Sequence, residues 1–213
     1  MNYKKIDFST WPRRELFKHF IDDVRCVVTI TADIDISKVL DFCQESNRKF
    51  YPAMLFLVSK TINKHDEFKL GYNSKGDIIL WDRVCPSHVV FNKNDEIFTR
   101  LITEYDDSFT LFHDRVIGDI KNNTDKRAFQ IKYEQTNTFD VSCLPWLHYK
   151  SCDLHVYDKG TYLAPVITWG KYVKSCNNWF MPLTMQIHHA VADGFHIARF
   201  FTELENEIQN FDA

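Results

Sequence analysis

Two kinds of apolar periodicity run along the chain, separated by short polar breaks. From Arg25 to Ala32, Cys26, Val28 and Ile30 alternate with Val27, Thr29 and Thr31, the period-two pattern of a strand. Ile36, Val39, Leu40 and Cys43 then share one helical face, with Asp35 or Ser37 placed to cap it. Before them, Arg13 to Phe20 reads as a short opening helix. After them, Pro52 suits the first turn of a second helix through about Lys64. Phe68 to Tyr72 and Ile78 to Trp81 flank Asn73-Ser74-Lys75-Gly76 and predict a hairpin. Pro86 to Asn92 predicts a strand, and Phe109, Phe112, Val116 and Ile120 predict a helix from Phe109 to Ile120. The second half is richer in strands: Thr138 to Cys143, Cys152 to Tyr157, Leu163 to Val173 and Trp179 to His189, with a turn at Ser175 to Asn178. A last helix follows Gly194, where Ile197, Phe201, Leu204, Ile208 and Phe211 step by three and four and predict a stripe laid on a sheet. Helices together with hairpin-linked strands predict an α/β (α+β) two-layer sandwich with a mixed, mostly antiparallel sheet covered by helices. The periodicity runs nearly end to end without linker or repeat, so residues 1–213 are expected to form a single domain.

Composition narrows the function classes. The 213 residues carry 26 Lys and Arg against 29 Asp and Glu, so no basic excess exists to neutralise a phosphate backbone and nucleic acid is not an expected partner. The longest apolar run, Tyr51 to Val58, is far short of the roughly 20 residues that span a bilayer. The N-terminal MNYKKIDFSTWPRR has no apolar core of a signal peptide, and none of the six cysteines forms a C-x-x-C pair. A cytoplasmic protein with reduced thiols is the expectation, with no membrane partner. The 18 Phe suit a stiff core or an apolar pocket.

The chemistry concentrates in Gln186-Ile187-His188-His189-Ala190-Val191-Ala192-Asp193-Gly194-Phe195-His196, where a strand gives way to a helix. Adjacent histidines on a strand point to opposite faces, so at least one of His188 and His189 is expected to be structural. The segment lacks the H-E-x-x-H spacing that puts two imidazoles on one helical face, and no metal or prosthetic group is expected. Histidine titrates near neutrality and can take a proton from a hydroxyl, so a general base is the better use of one of them.

With these residues the chain resembles the chloramphenicol acetyltransferases of the trimeric, catalytic-histidine type. Their signature Q-[IV]-H-H-A-V-C-D-G-[FY]-H reads QIHHAVADGFH here, with Ala192 at the cysteine position. Trp11-Pro12-Arg13-Arg14-Glu15 resembles W-x-R-[RK]-E, Lys49-Phe50-Tyr51-Pro52 resembles K-F-Y-P, and Val141-Ser142-Cys143-Leu144-Pro145-Trp146 resembles V-S-x-x-P-W. Ala164 to Tyr172, read APVITWGKY, resembles A-P-[IV]-[IF]-T-x-[GA]-K-[YF]. The likeness spans almost the whole chain in five ordered motifs. A departure lies at Phe91 to Phe98, FNKNDEIF, where the family often reads F-H-x-x-T-E-T-F. Two more lie after Trp146 and at Asp140, where an asparagine is common.

The resemblance implies the chloramphenicol acetyltransferase-like, CoA-dependent acyltransferase fold and transfer of acetyl from acetyl-CoA, the co-substrate, to the 3-hydroxyl of chloramphenicol. A related O-acyltransferase acting on a different small alcohol is the alternative. By the same likeness His189 is the base, its tautomer set by a bond to its own backbone carbonyl. Ser142 stabilises the oxyanion, and Thr168 acts there through a water. Asp193 pairs with Arg13 to hold the site. Lys49 and Lys171 lie near the CoA phosphates, and Tyr51, Trp146 and Tyr172 flank the CoA channel. Phe20, Cys26 and Phe98 are candidate walls of the acceptor pocket. A homotrimer with sites at its interfaces is implied as well, His189 of one subunit facing Ser142 and Thr168 of the next. His113 and His148 receive no role.

Overall fold

The computed structural model describes residues 2–123, 137–154 and 162–212. Strand β1 (Tyr3–Lys5) precedes helix α1 (Arg14–Lys18), which widens into a π-helical turn at His19–Asp23. Strand β2 (Val27–Asp35) leads to helices α2 (Ser37–Glu45) and α3 (Phe50–Asn63), where Pro52 stands in the first turn. Asp35 accepts from both the backbone N–H and the hydroxyl of Ser37, which fixes the entry into α2. The predicted hairpin is formed by β3 (Leu70–Tyr72) and β4 (Ile78–Trp81). Phe68 and Lys69 fall in a 3₁₀ turn at Asp66–Lys69 instead of the strand, because the buried Phe68 ring anchors that turn against Phe200.

Strands β5 (Cys85–Asn92) and β6 (Ile97–Ile102) follow, then α4 (Phe109–Asn123) and β7 (Thr138–Leu144). The single strand expected from Leu163 to Val173 is two, β8 (Val166–Gly170) and β9 (Val173–Ser175). Strand β10 (Asn178–His188) and helix α5 (Gly194–Gln209) end the fold. No strand forms at Cys152 to Leu154; the rest of that expected strand lies outside the described residues.

Among the described residues, the main sheet runs β2-β10-β8-β7-β5-β6, with β9 added beside β10. The β5/β7 and β7/β8 pairs are parallel and the others antiparallel, so the sheet is mixed and mostly antiparallel. A three-stranded sheet β1-β4-β3 stands apart. The core explains the layering. Leu183, Met185 and Ile187 of β10 are fully buried in one cluster with Ile197, Phe200 and Leu204 of α5 and with the α3 run from Ala53 to Val58. The alternate β10 residues Thr184, Gln186 and His188 face the other side. No helix among the described residues is long and apolar enough to cross a membrane.

Candidate functional site

His189 follows the last residue of β10, and its backbone N–H still bonds to the carbonyl of Cys26 at 3.0 Å, extending the β2 ladder by one rung. The chain then turns through Ala190 to Ala192, all fully buried, before α5 begins. Arg13 clamps this turn from the side. Its Nη2 donates to the carbonyl of His189 at 2.9 Å, its Nε to that of Ala190 at 2.8 Å, and its Nη1 to Asp193 Oδ2 at 3.1 Å. Asp193 is the N-cap of α5 and accepts from the N–H of Phe195. Burial acts to raise its pKa, but the Arg13 hydrogen bond and the adjacent His196 outweigh it and hold the carboxyl below its usual range.

The imidazole of His189 is half-buried. Its Nδ1 lies 3.0 Å from the carbonyl of Ala192. This corrects the expectation that it bonds its own carbonyl: Arg13 already holds that oxygen, and the turn brings the Ala192 carbonyl to the ring instead. The consequence for the tautomer is the same, because Nδ1 must carry the proton and Nε2 is left with its lone pair. Phe20 stacks on the ring at 4.0 Å between centroids and 16° between planes, fixing its orientation. Cys26 adjoins this turn through its carbonyl, and burial pushes its thiol pKa up. The neighbouring His188 is buried, and its Nδ1 accepts the N–H of Ala190. The adjacent pair thus splits into one structural ring and one half-exposed ring.

Ser142 and Thr168 are register partners across β7 and β8. Thr168 faces Thr184 on β10, and Thr184 faces Thr31 on β2. These four hydroxyl residues form one row across the sheet, on the side away from the helices. Tyr149 seals it: its hydroxyl donates to the Thr168 carbonyl at 2.6 Å, Thr184 donates to Tyr149 at 3.1 Å, and Thr31 in turn donates to Thr184 at 2.8 Å. The segment carrying Tyr149 is tied down by Gln186, whose amide bonds both the N–H and the carbonyl of Leu154. It also packs on Gly170, where a Cβ would stand 2.7 Å from the Leu147 carbonyl and 2.9 Å from the Tyr149 ring.

A cavity of about 560 Å³ is lined among others by Tyr51, Phe98, Cys143, Trp146, Lys171 and Tyr172. It gathers four of the five expected cofactor residues. The fifth, Lys49, is exposed, and its backbone N–H is capped by His113 Nε2 at 3.1 Å. Phe98 sits here with Phe91 and Trp146, and within one chain it does not join Phe20 and Cys26. Burial pushes the Cys143 thiol up to about 11.

Within one chain His189 does not meet Ser142 or Thr168. Thr168 pairs with Thr184, and His189 lies five residues beyond it. At a rise of about 3.4 Å per residue, the His189 backbone stands about 17 Å along the strand direction from this row. Sequence reading missed three supports: Gln186, Tyr149 and the cap from His113. Gln186 stood inside the histidine motif, but its partner at Leu154 is 32 positions away and carried no local signal. His148, also without a role in the sequence, bonds the Lys171 carbonyl through Nδ1 at 3.0 Å. Among the described residues no group of three or more His, Cys, Asp or Glu could hold a metal.

Comparison with known proteins agrees over the whole length. Residues 1–205 match the family model described as chloramphenicol acetyltransferase. The chain is 39% identical to a chloramphenicol acetyltransferase of Clostridium butyricum over 206 residues, covering 96% of this chain and 94% of that one. It is 37% identical to one of Clostridium perfringens over 214 residues, covering 100% and 98%. A solved chloramphenicol acetyltransferase structure superposes with a TM-score of 0.87 at 21% identity, covering 96% of this chain and 99% of that one. With the family model matched over residues 1–205 and identity of 37–39% over nearly the full length of these relatives, the chain belongs to the chloramphenicol acetyltransferase family.

Proposed function

We propose that the protein transfers the acetyl group of acetyl-CoA to the 3-hydroxyl of chloramphenicol, with His189 as the general base. The observation that carries this reading is the state of the His189 ring: Nδ1–H is committed to the Ala192 carbonyl, Phe20 fixes the ring plane, and Nε2 is a bare lone pair. Nε2 takes the proton of the acceptor hydroxyl as its oxygen attacks the thioester carbon. The tetrahedral oxyanion forms against the Ser142 hydroxyl, with Thr168 alongside. Collapse breaks the C–S bond, and the imidazolium returns its proton to the departing CoA sulfur. Arg13 and Asp193 keep the turn and hence the ring in place. Tyr51, Trp146 and Tyr172 flank the CoA arm, with Lys49 and Lys171 toward its phosphates.

The separation of about 17 Å supports a site shared between copies, His189 from one and Ser142 and Thr168 from the next. Each half carries apolar side chains that are exposed in a single chain, namely Leu16, Val24 and Val27 near His189 and Trp146 and Leu147 near Ser142. A cyclic homotrimer closes three such interfaces. Acetyl-CoA is an intracellular metabolite, so the reaction belongs in the cytoplasm. Acetylation of the drug's 3-hydroxyl spoils its fit to the ribosome and confers resistance.

The test is release of free CoA thiol from acetyl-CoA with chloramphenicol, run beside a panel of other small alcohols. Turnover with chloramphenicol supports the reading. Turnover only with another alcohol assigns a different acceptor, and no turnover with any acceptor refutes transferase activity.

A further inference from the structure

Behind the cavity, four side chains from separate parts of the fold form a hydrogen-bonded file. Tyr51 Oη of α3 lies 3.2 Å from His88 Nδ1 of β5, and His88 Nε2 lies 3.0 Å from Thr103 Oγ1, just past β6. Thr103 Oγ1 donates to Asp119 Oδ2 of α4 at 2.7 Å. His88 and Thr103 are fully buried, and burial lowers the His88 pKa to about 4, so the ring is neutral at pH 7 and carries one N–H.

The direction of every bond in the file follows from its far end. A carboxylate has no proton to give, so the single hydroxyl proton of Thr103 goes to Asp119. Thr103 can then only accept from His88, which puts the ring proton on Nε2. Nδ1 is left as an acceptor, so Tyr51 donates inward to it. Burial and the nearby Cys143 raise the Tyr51 pKa, which keeps that proton on the hydroxyl. Tyr51 lines the cavity, whose other walls include Phe91, Phe98 and Trp146. With its proton engaged inward, its oxygen has only lone pairs left to offer a ligand.

We propose that Tyr51 is a hydrogen-bond acceptor of fixed polarity in this cavity, held so by the positioning residue His88, and that it receives an amide N–H of the bound ligand. A ligand hydroxyl can donate or accept, so a fixed acceptor selects little among hydroxyls. An amide N–H is an obligate donor and matches it. The ligand class rests on the proposed reaction, in which both substrates carry secondary amides: the arm of CoA and the side chain of chloramphenicol.

Calorimetric titration of CoA alone and of chloramphenicol alone into the wild type, Tyr51→Phe, His88→Phe and His88→Asn separates these sources. Tyr51→Phe weakens one of the two ligands by about fivefold to tenfold, the worth of one hydrogen bond, and the ligand affected is the source of the amide. His88→Phe frees the tyrosine proton and weakens the same ligand. His88→Asn, whose Oδ1 can accept from Tyr51, restores binding to within about twofold. Unchanged affinity of Tyr51→Phe for both ligands overturns the amide contact, and failure of His88→Asn to improve on His88→Phe overturns the role of His88. Selective ¹⁵N-histidine NMR of the unliganded wild type, with His88 assigned by its loss in His88→Asn, reads the polarity without any ligand. An Nε2–H tautomer supports the file, and an Nδ1–H tautomer overturns it. A protein that binds neither substrate strikes the proposed reaction, while the NMR result still decides the polarity.

Discussion

Thr168 faces Thr184 across β8 and β10, and His189 lies five residues further on, so an isolated chain keeps His189 about 17 Å along the strand direction from the Ser142–Thr168 row. Mixing two inactive variants turns that separation into a number. His189→Ala alone should lose about 10²–10⁴-fold in kcat, and Ser142→Ala about 10²–10³-fold. If each site takes its histidine from one copy and its serine from the next, the two variants mixed equally and unfolded and refolded together form some intact sites. Random assortment places an intact histidine beside an intact serine at about one quarter of interfaces. The mixture should then show about one quarter of wild-type turnover by CoA-thiol release, far above either parent. A control sharpens the reading. Wild type mixed equally with the double variant should also show about one quarter if sites span copies, but about one half if each chain holds its own site. A mixture of the single variants no more active than the mean of its parents would refute the shared site.

Three further outcomes follow from the geometry. Gly170→Ala drives a Cβ into the Leu147 carbonyl and the Tyr149 ring, so the segment must lift; a loss of about 1–3 kcal/mol in denaturant unfolding is expected, and an unchanged midpoint would contradict the close approach. His88 has a folded pKa of about 4, below the unfolded value near 6.5, so its contribution is complete above pH 6.5 and is lost as pH falls toward 4. The linked loss is about 3 kcal/mol, and it should vanish from the pH dependence of His88→Asn; identical pH profiles for the two proteins would contradict a buried neutral ring. Arg13→Lys keeps the charge but cannot reach two carbonyls and a carboxylate at once, so kcat should fall about tenfold to hundredfold with a smaller change in KM, whereas wild-type kcat would show that the clamp does not orient His189.

Local patterns made much of the fold legible. Four of the five stripe positions of the last helix and the alternation around Val28 and Ile30 survive in α5 and β2, because both elements bury one face against the same core; Phe211 lies past the end of α5 but is buried in the same cluster. Elements whose apolar residues do not follow the buried face were hidden. β1 is exposed at all three positions, and β6 exposes Ile97 and Phe98 side by side while the polar Thr99 shares its buried face with Leu101. At Cys152 to Leu154 the expected strand does not form: the N–H and carbonyl of Leu154 both bond the Gln186 side chain instead of a neighbouring strand. The expected strand through Val173 breaks after Gly170, where the Leu147 carbonyl crowds the backbone.

At the site, the histidine motif exposed its own chemistry, and the two rings divided as their adjacency required. The partner of His189 Nδ1 was misjudged because no local pattern shows that Arg13, 176 positions away, occupies the residue's own carbonyl. The file from Tyr51 through His88 to Asp119 was invisible for the same reason, since each bond joins residues that only the tertiary fold brings together.

The proton transfer at His189 is tested most directly by kcat of His189→Ala with acetyl-CoA and chloramphenicol, measured on protein whose size in solution matches the wild type. A loss of at least about 10²-fold is expected. Turnover near that of the wild type would show that another group takes the proton.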